Sequence, residues 1–168
     1  MNMTECISYG GTIPRDHTSK YPVDKITNRL VEECVEPYVF LIVDDNIINV
    51  RILEKILTKL FSKCQIITTV DSTKVSQLLL HYKFDLIFLD IEMPIISGIE
   101  IATFIRNHHL LNSLAIIAVT SRSDDEDLLL YNKIGIDFTL KKPLCYLHTW
   151  LFSTILSILR KYSHSLTV

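Results

Sequence analysis

Tyr38-Val39-Phe40-Leu41-Ile42-Val43 is an unbroken apolar run that passes directly into Asp44-Asp45-Asn46. A run of β-branched and aromatic residues with no polar alternation is what a strand buried on both faces requires. Such a strand belongs inside a parallel sheet, and the acidic pair then falls at its carboxyl end. The residues that follow repeat the pattern. Asn46 to Ser62 recurs at helical spacing, with Ile48, Ile52, Ile56 and Leu60 as the expected core stripe, Leu53 and Leu57 beside it, and Arg51, Lys55 and Lys59 opposite. Residues 65–70 read as a second strand, 72–82 as a second helix, and 85–89 as a third strand that runs into Asp90. Residues 98–108 are helical, and 114–119 form a fourth strand ending at Thr120. Ser123-Asp124-Asp125-Glu126 has the form of a capping box at the start of a fourth helix, which Gly135 closes. Residues 136–140 make a short fifth strand, and Pro143 takes the first position of the last helix, where a proline costs nothing.

Strands alternating with helices argue for an α/β fold, a doubly wound parallel sheet with helices on both faces. In such sheets the working residues lie beyond the carboxyl ends of the strands. Those ends carry Asp44 and Asp45, then Asp90, Thr120 and Lys142. Three carboxylates gathered at one place repel one another and need a counter-charge. An all-oxygen acidic cluster suits a hard cation, and Mg²⁺ with a phosphate oxygen fits it best. Lys142 supplies a second positive charge, and the Thr120 hydroxyl can donate to an incoming oxyanion.

Composition removes other chemistries. Of four glycines, Gly10 and Gly11 are adjacent near the start, leaving Gly98 and Gly135. Neither a dinucleotide fingerprint nor a P-loop can be written with them. The net charge is −2, and residues beyond 36 balance, with no basic stripe for nucleic acid. Cys6, Cys34, Cys64 and Cys145 form no C-x-x-C pair and read as reduced thiols packed in apolar surroundings. No signal peptide opens the chain, and the apolar stretch from Leu144 to Leu159 is interrupted by His148, Ser153, Thr154 and Ser157, too polar to span a bilayer. The expectation is a soluble intracellular protein, cytoplasmic with the nucleus open to it, with no membrane or nucleic-acid partner.

Asp44-Asp45-Asn46, the Asp90-Ile91-Glu92-Met93-Pro94 run with Gly98 following, Thr120, and Lys142-Pro143 together resemble the response-regulator receiver domain. The resemblance covers roughly residues 38–161. It implies the flavodoxin-like receiver fold with strand order 2-1-3-4-5. It also implies that Asp90 accepts a phosphoryl group from phosphohistidine on a histidine phosphotransfer protein or histidine kinase. Mg²⁺ would be held by Asp45, Asp90 and the backbone carbonyl of Glu92, with Asp44 acting through a water. Thr120 and Lys142 would contact phosphoryl oxygens. The run from Asp44 to Asn49 and the Asn-, Ile- and Leu-rich composition are similar to fungal stress response regulator proteins of multistep phosphorelays.

The resemblance implies no enzyme beyond self-phosphorylation and slow autodephosphorylation. The rival readings are a receiver-fold interaction module that is never phosphorylated and, below it, a phosphatase with an aspartyl-phosphate intermediate, in which Glu92 would be the second acid. One departure is plain: the aromatic that the family carries three residues before its lysine is Thr139 here, and Phe138, displaced by one, should point to the other face. Glu92 and Arg122 flank the site and are expected to pair. The last helix carries a stripe of Leu144, Leu147, Leu151, Ile155 and Ile158, yet Tyr146, Trp150, Phe152, Leu156 and Leu159 surround it, which implies a second buried contact. That contact would be a downstream partner or a homodimer on the surface of the fourth helix, fifth strand and fifth helix, or else a leader helix over residues 24–36. The division expected is a flexible leader over 1–36, the receiver domain over 37–162 and a tail over 163–168, with no output domain.

Overall fold

The computed structural model describes residues 38–163; the expected leader helix over 24–36 lies outside them. Strand β1 (Val39–Val43) is buried from Phe40 onward, as a run without alternation demands. With β2 (Gln65–Thr69), β3 (Leu86–Leu89), β4 (Ala115–Thr120) and β5 (Phe138–Lys141) it forms one parallel sheet of order β2-β1-β3-β4-β5. Helices α1 (Ile47–Leu60), α2 (Val75–His81), α3 (Gly98–Asn107), α4 (Asp125–Ile134) and α5 (His148–Ser163) alternate with the strands. Both central strands are apolar on both faces because helices cover both sides.

Three local expectations need correction. The buried row of α1 is Val50, Leu53, Leu57 and Leu60, while Ile48 and Ile52 are exposed. Both rows have helical spacing; the short Asp44–Asn46 turn fixes how the helix enters and so which row meets the sheet. Helix α4 is capped by Asp124, whose side chain accepts from Asp127 N–H, not by Ser123; the capping box forms instead between Ser97 and Glu100 on α3. The last helix starts at His148, not at Pro143. Before it, the Tyr146 hydroxyl accepts from the Lys141 N–H at 2.7 Å and donates to the Lys141 carbonyl at 3.2 Å, folding residues 143–147 back on β5.

Helix α5 buries a wider face than one stripe. Leu151, Phe152, Ile155, Leu156, Ile158 and Leu159 are all buried within the domain, with the Phe152 ring 5.0 Å from that of Phe61 on the chain leaving α1. Most of the wide apolar surface is thus buried within the domain, while Trp150 stays exposed. Leu147, assigned to the core stripe, is exposed. Cys145 is also exposed and Cys64 half-buried, against the expectation of packed thiols.

At the amino end of β5 a polar knot ties four elements together. Asp137 accepts from Arg106 Nη2 (2.9 Å), Lys161 Nζ (2.9 Å), the Tyr162 hydroxyl (2.8 Å) and the Ile116 N–H (2.9 Å). Arg106 also donates to the carbonyls of Gly135 and Leu114. Gly135 ends α4 with φ at 96°, a left-handed conformation that favours glycine, and a Cβ there would press on the Arg106 side chain at 3.1 Å.

Candidate functional site

The parallel ladder continues one step past the strands and sets the site residues side by side. Asp90 N–H donates to the Val43 carbonyl at 2.8 Å, and Lys142 N–H to the Thr120 carbonyl at 2.8 Å. Asp44 and Asp90 are thereby carried on neighbouring central strands, with Thr120 and Lys142 on the next pair. The sequence placed five strand-end residues here; the fold brings Asp44, Asp45, Asp90 and Lys142 together and sets Thr120 on the strand beside Lys142.

Asp44, Asp45 and Asp90 each offer a carboxylate oxygen within 4.8 Å of the others. Asp44 and Asp90 are buried and Asp45 is exposed. The Lys142 ammonium lies 2.7 Å from Asp44 Oδ2 and 2.9 Å from Asp90 Oδ2. Burial pushes the Asp90 carboxyl above the usual carboxylate range, and the Asp44 charge adds to this against the pull of Lys142. Burial alone would lower Lys142, but its hydrogen bonds to Asp44 and Asp90 outweigh that and hold the ammonium above its ordinary value. The donor set is all oxygen and acids outnumber bases, with two of the carboxylates already gripping a cation. These residues fit Mg²⁺.

Sequence reasoning missed several supporting groups. Asp44 Oδ1 accepts from the Asn46 N–H at 2.9 Å and from Asn49 Nδ2 at 3.1 Å, while Asn46 caps α1 by accepting from Ile48 N–H. The signal was present in the Asp-Asp-Asn-x-x-Asn run. Glu92 does not pair with Arg122: its carboxylate accepts from the Ser121 hydroxyl at 2.7 Å, and Arg122 pairs with Asp127 at 3.0 Å. Arg122 turns toward α4 because Asp127 sits one turn into that helix, nearly buried. The Glu92 N–H donates to Asp90 Oδ1 at 3.3 Å.

The loop after Asp90 is held at both ends. A Cβ on Gly98 would collide with the Asp90 carbonyl oxygen, so only glycine lets α3 start against the acidic strand end. The buried Ser72 hydroxyl donates to the Pro94 carbonyl at 3.0 Å. Between these anchors Ile95 is exposed with φ at 72°, an outlier for a β-branched residue. Phe138 lies on the face covered by α5, its ring 5.9 Å from Trp150, as strand alternation requires. A cavity of ≈ 80 Å³ beside the acids is lined by Asp44, Asn49, Ile52, Lys142, Pro143 and Leu144, among others. Among the described residues, no histidine joins the acidic cluster.

Comparison with known proteins agrees with this geometry. The response regulator receiver domain profile matches residues 40–146. The chain is 49% identical over 123 residues to stress response regulator protein 1 of Scheffersomyces stipitis, covering 73% of this chain and 43% of that protein. It is 52% identical over 109 residues to the protein of the same name from Candida albicans, covering 65% of this chain and 39% of that one. The chain thus spans less than half the length of these two relatives. Among solved structures, the signal receiver domain of a DNA-binding response regulator protein from Colwellia psychrerythraea aligns at a TM-score of 0.67 and 24% identity, covering 73% of this chain and 98% of that one. That likeness concerns the fold.

Proposed function

This chain belongs to the response regulator receiver domain family, and on that premise we propose that it accepts a phosphoryl group on Asp90 and signals through altered partner binding, in a stress response. The observation that carries the reading is a buried carboxylate at the end of a central strand, 2.9 Å from a lysine ammonium and clustered with two further acids. In the transfer, an Asp90 carboxylate oxygen attacks phosphorus of a phosphohistidine. The P–N bond breaks, its electron pair stays on the imidazole, and an acyl phosphate forms. Phosphoryl transfer asks mainly for positioning and neutralised charge. The carboxylate is already a nucleophile, so no general base is needed.

Lys142, placed between Asp44 and Asp90, is positioned to follow the developing negative charge onto a phosphoryl oxygen. Thr120 offers the hydroxyl for a second oxygen. Asp45, Asp90 and the Glu92 carbonyl would hold Mg²⁺, with Asp44 behind a water; when bound, the ion neutralises phosphoryl charge. Asn46 and Asn49 orient Asp44 for that task. Water attacking phosphorus later breaks the P–O bond, returning the Asp90 carboxylate and inorganic phosphate. This makes the chain a phosphoacceptor with slow self-hydrolysis, not a turnover enzyme.

The donor is a protein, a histidine phosphotransfer protein or a histidine kinase. Exposed Ile47, Ile48 and Ile52 on α1 and Ile95 beyond the acids support this, since they offer an apolar rim around the nucleophile. Among the described residues no helix is long and apolar enough to cross a membrane; we place the protein in the cytoplasm, with the nucleus as the second compartment. Intact mass after acetyl phosphate treatment tests the reading. One added phosphate that requires both Mg²⁺ and Asp90, absent in Asp90→Asn, is expected. No adduct on a folded, Mg²⁺-binding protein would favour a constitutive interaction module instead.

A further inference from the structure

Thr139 leaves β5 without an aromatic on the face it shares with Ala118 and Thr120. In the ladder Thr139 pairs with Ala118, and Ala118 packs in the same buried cluster as Tyr131 of α4. Tyr131 is 3% exposed. Its hydroxyl donates to the Arg122 carbonyl at 3.3 Å, and Arg122 N–H donates to Thr120 Oγ1 at 3.1 Å. Tyr131 is thereby tied to Thr120 through the backbone of Arg122. Thr120, wholly buried, is therefore committed to the loop and the helix before any phosphoryl group arrives. One turn earlier on the same helix face, the buried Asp127 Oδ2 has no hydrogen-bond partner, a spare acceptor in the same network.

We propose that Tyr131 is the positioning residue that couples the Thr120 hydroxyl to helix α4, in place of the strand aromatic that this chain lacks; the proposal rests on Asp90 being the phosphoacceptor. An oxyanion on Asp90 that turns the Thr120 hydroxyl toward itself draws Oγ1 away from the Arg122 N–H, the next link to Tyr131. The loop at 121–124 then loses its tie to Thr120, and α4 resettles. Leu128, Leu129 and Leu130 lie exposed on that helix, so the change reaches solvent there. A coupling claim needs a two-arrangement element that both sites bias. The Thr120–Tyr131–Arg122 network is that element.

The test uses the full chain labelled with [ζ-¹³C]tyrosine, the Tyr131 signal being identified by its absence from Tyr131→Phe. Acetyl phosphate with Mg²⁺ is added, and phosphate uptake is followed by mass in the same samples. Both proteins are expected to take up phosphate, because Tyr131 bonds to none of Asp44, Asp45 and Asp90, and the mass gives the phosphorylated fraction of each. The Tyr131 signal should shift in the phosphorylated parent, and amide exchange over 121–134 should change severalfold. In phosphorylated Tyr131→Phe that exchange change should fall below twofold. If no tyrosine ¹³C signal moved in the phosphorylated parent, the proposal would be overturned even if the variant failed to fold. So would a parent-like exchange change in Tyr131→Phe. A parent that takes up no phosphate overturns the Asp90 reading and the proposal with it, and mass alone tells that case from the other two.

Discussion

At the amino end of β5, Asp137 is met by a guanidinium, an ammonium, a phenol hydroxyl and a backbone N–H. At the carboxyl ends of β1 and β3, Asp44, Asp45 and Asp90 gather around the Lys142 ammonium, and burial still drives Asp90 toward its neutral form. The two ends bury similar groups and settle them oppositely. One carboxylate surrounded by donors stitches α3, β4, β5 and α5 together. Several carboxylates sharing one ammonium keep a mutual repulsion that a bound cation relieves. Donor surplus marks structure, and donor deficit marks the place where something else is meant to bind.

Deleting the saturated acid should have the largest effect. Asp137→Ala strands a nearly buried Arg106 and is expected to lower unfolding stability by about 3 kcal/mol, the usual scale for breaking a buried pair. Urea melts would measure it, and a loss under ~1 kcal/mol would erase the contrast. Gly135→Ala attacks the same end through the backbone. It forces a side chain into the left-handed region against Arg106, with an expected cost of about 1–2 kcal/mol in the same melts.

The site end should respond in the other direction. Ile95→Gly removes a strained left-handed isoleucine and is expected to stabilise by up to about 1 kcal/mol, seen as a higher thermal midpoint with phosphate uptake retained. A lower midpoint would show that the loop needs the isoleucine. The smallest effect, and the sharpest in sign, belongs to Asp90→Asn in metal-free buffer. Because the folded Asp90 binds its proton more tightly than the unfolded one, its contribution to stability falls as pH rises from the ordinary carboxylate range through its raised folded value. The asparagine variant should therefore gain on the parent across that window and stay level above it. A variant that loses ground as pH rises would mean that Asp90 is held ionised.

How much of this was legible in the sequence follows from what each feature depends on. Unbroken apolar runs ending in polar residues are local, so the strands, their order of appearance and Asp44, Asp45, Asp90, Thr120 and Lys142 could all be read directly. The row of α1 that faces the sheet could not, since two apolar rows share one spacing and only the preceding turn chooses between them. The Asp137 knot joins residues from three separate stretches, Arg106, Asp137 and the pair Lys161-Tyr162, and no spacing rule connects them. Tyr131 escaped for a related reason. On the helix it is one aromatic in a Leu-rich turn, and its meaning appears only once the fold bonds it to Arg122, whose N–H meets Thr120.

The register of the sheet also dictates an order of events in folding. Asp44 sits near the start of the domain and Lys142 on its last strand, so the ion pair between them is among the most non-local contacts in the chain. Contacts of that kind are late and slow to form. A growing chain that has built β1 and β3 but not yet β5 would hold three acids with no lysine among them. The arrival of β5 is then the step that makes the centre electrostatically tolerable, and the domain completes its reactive site and its sheet in the same closing movement.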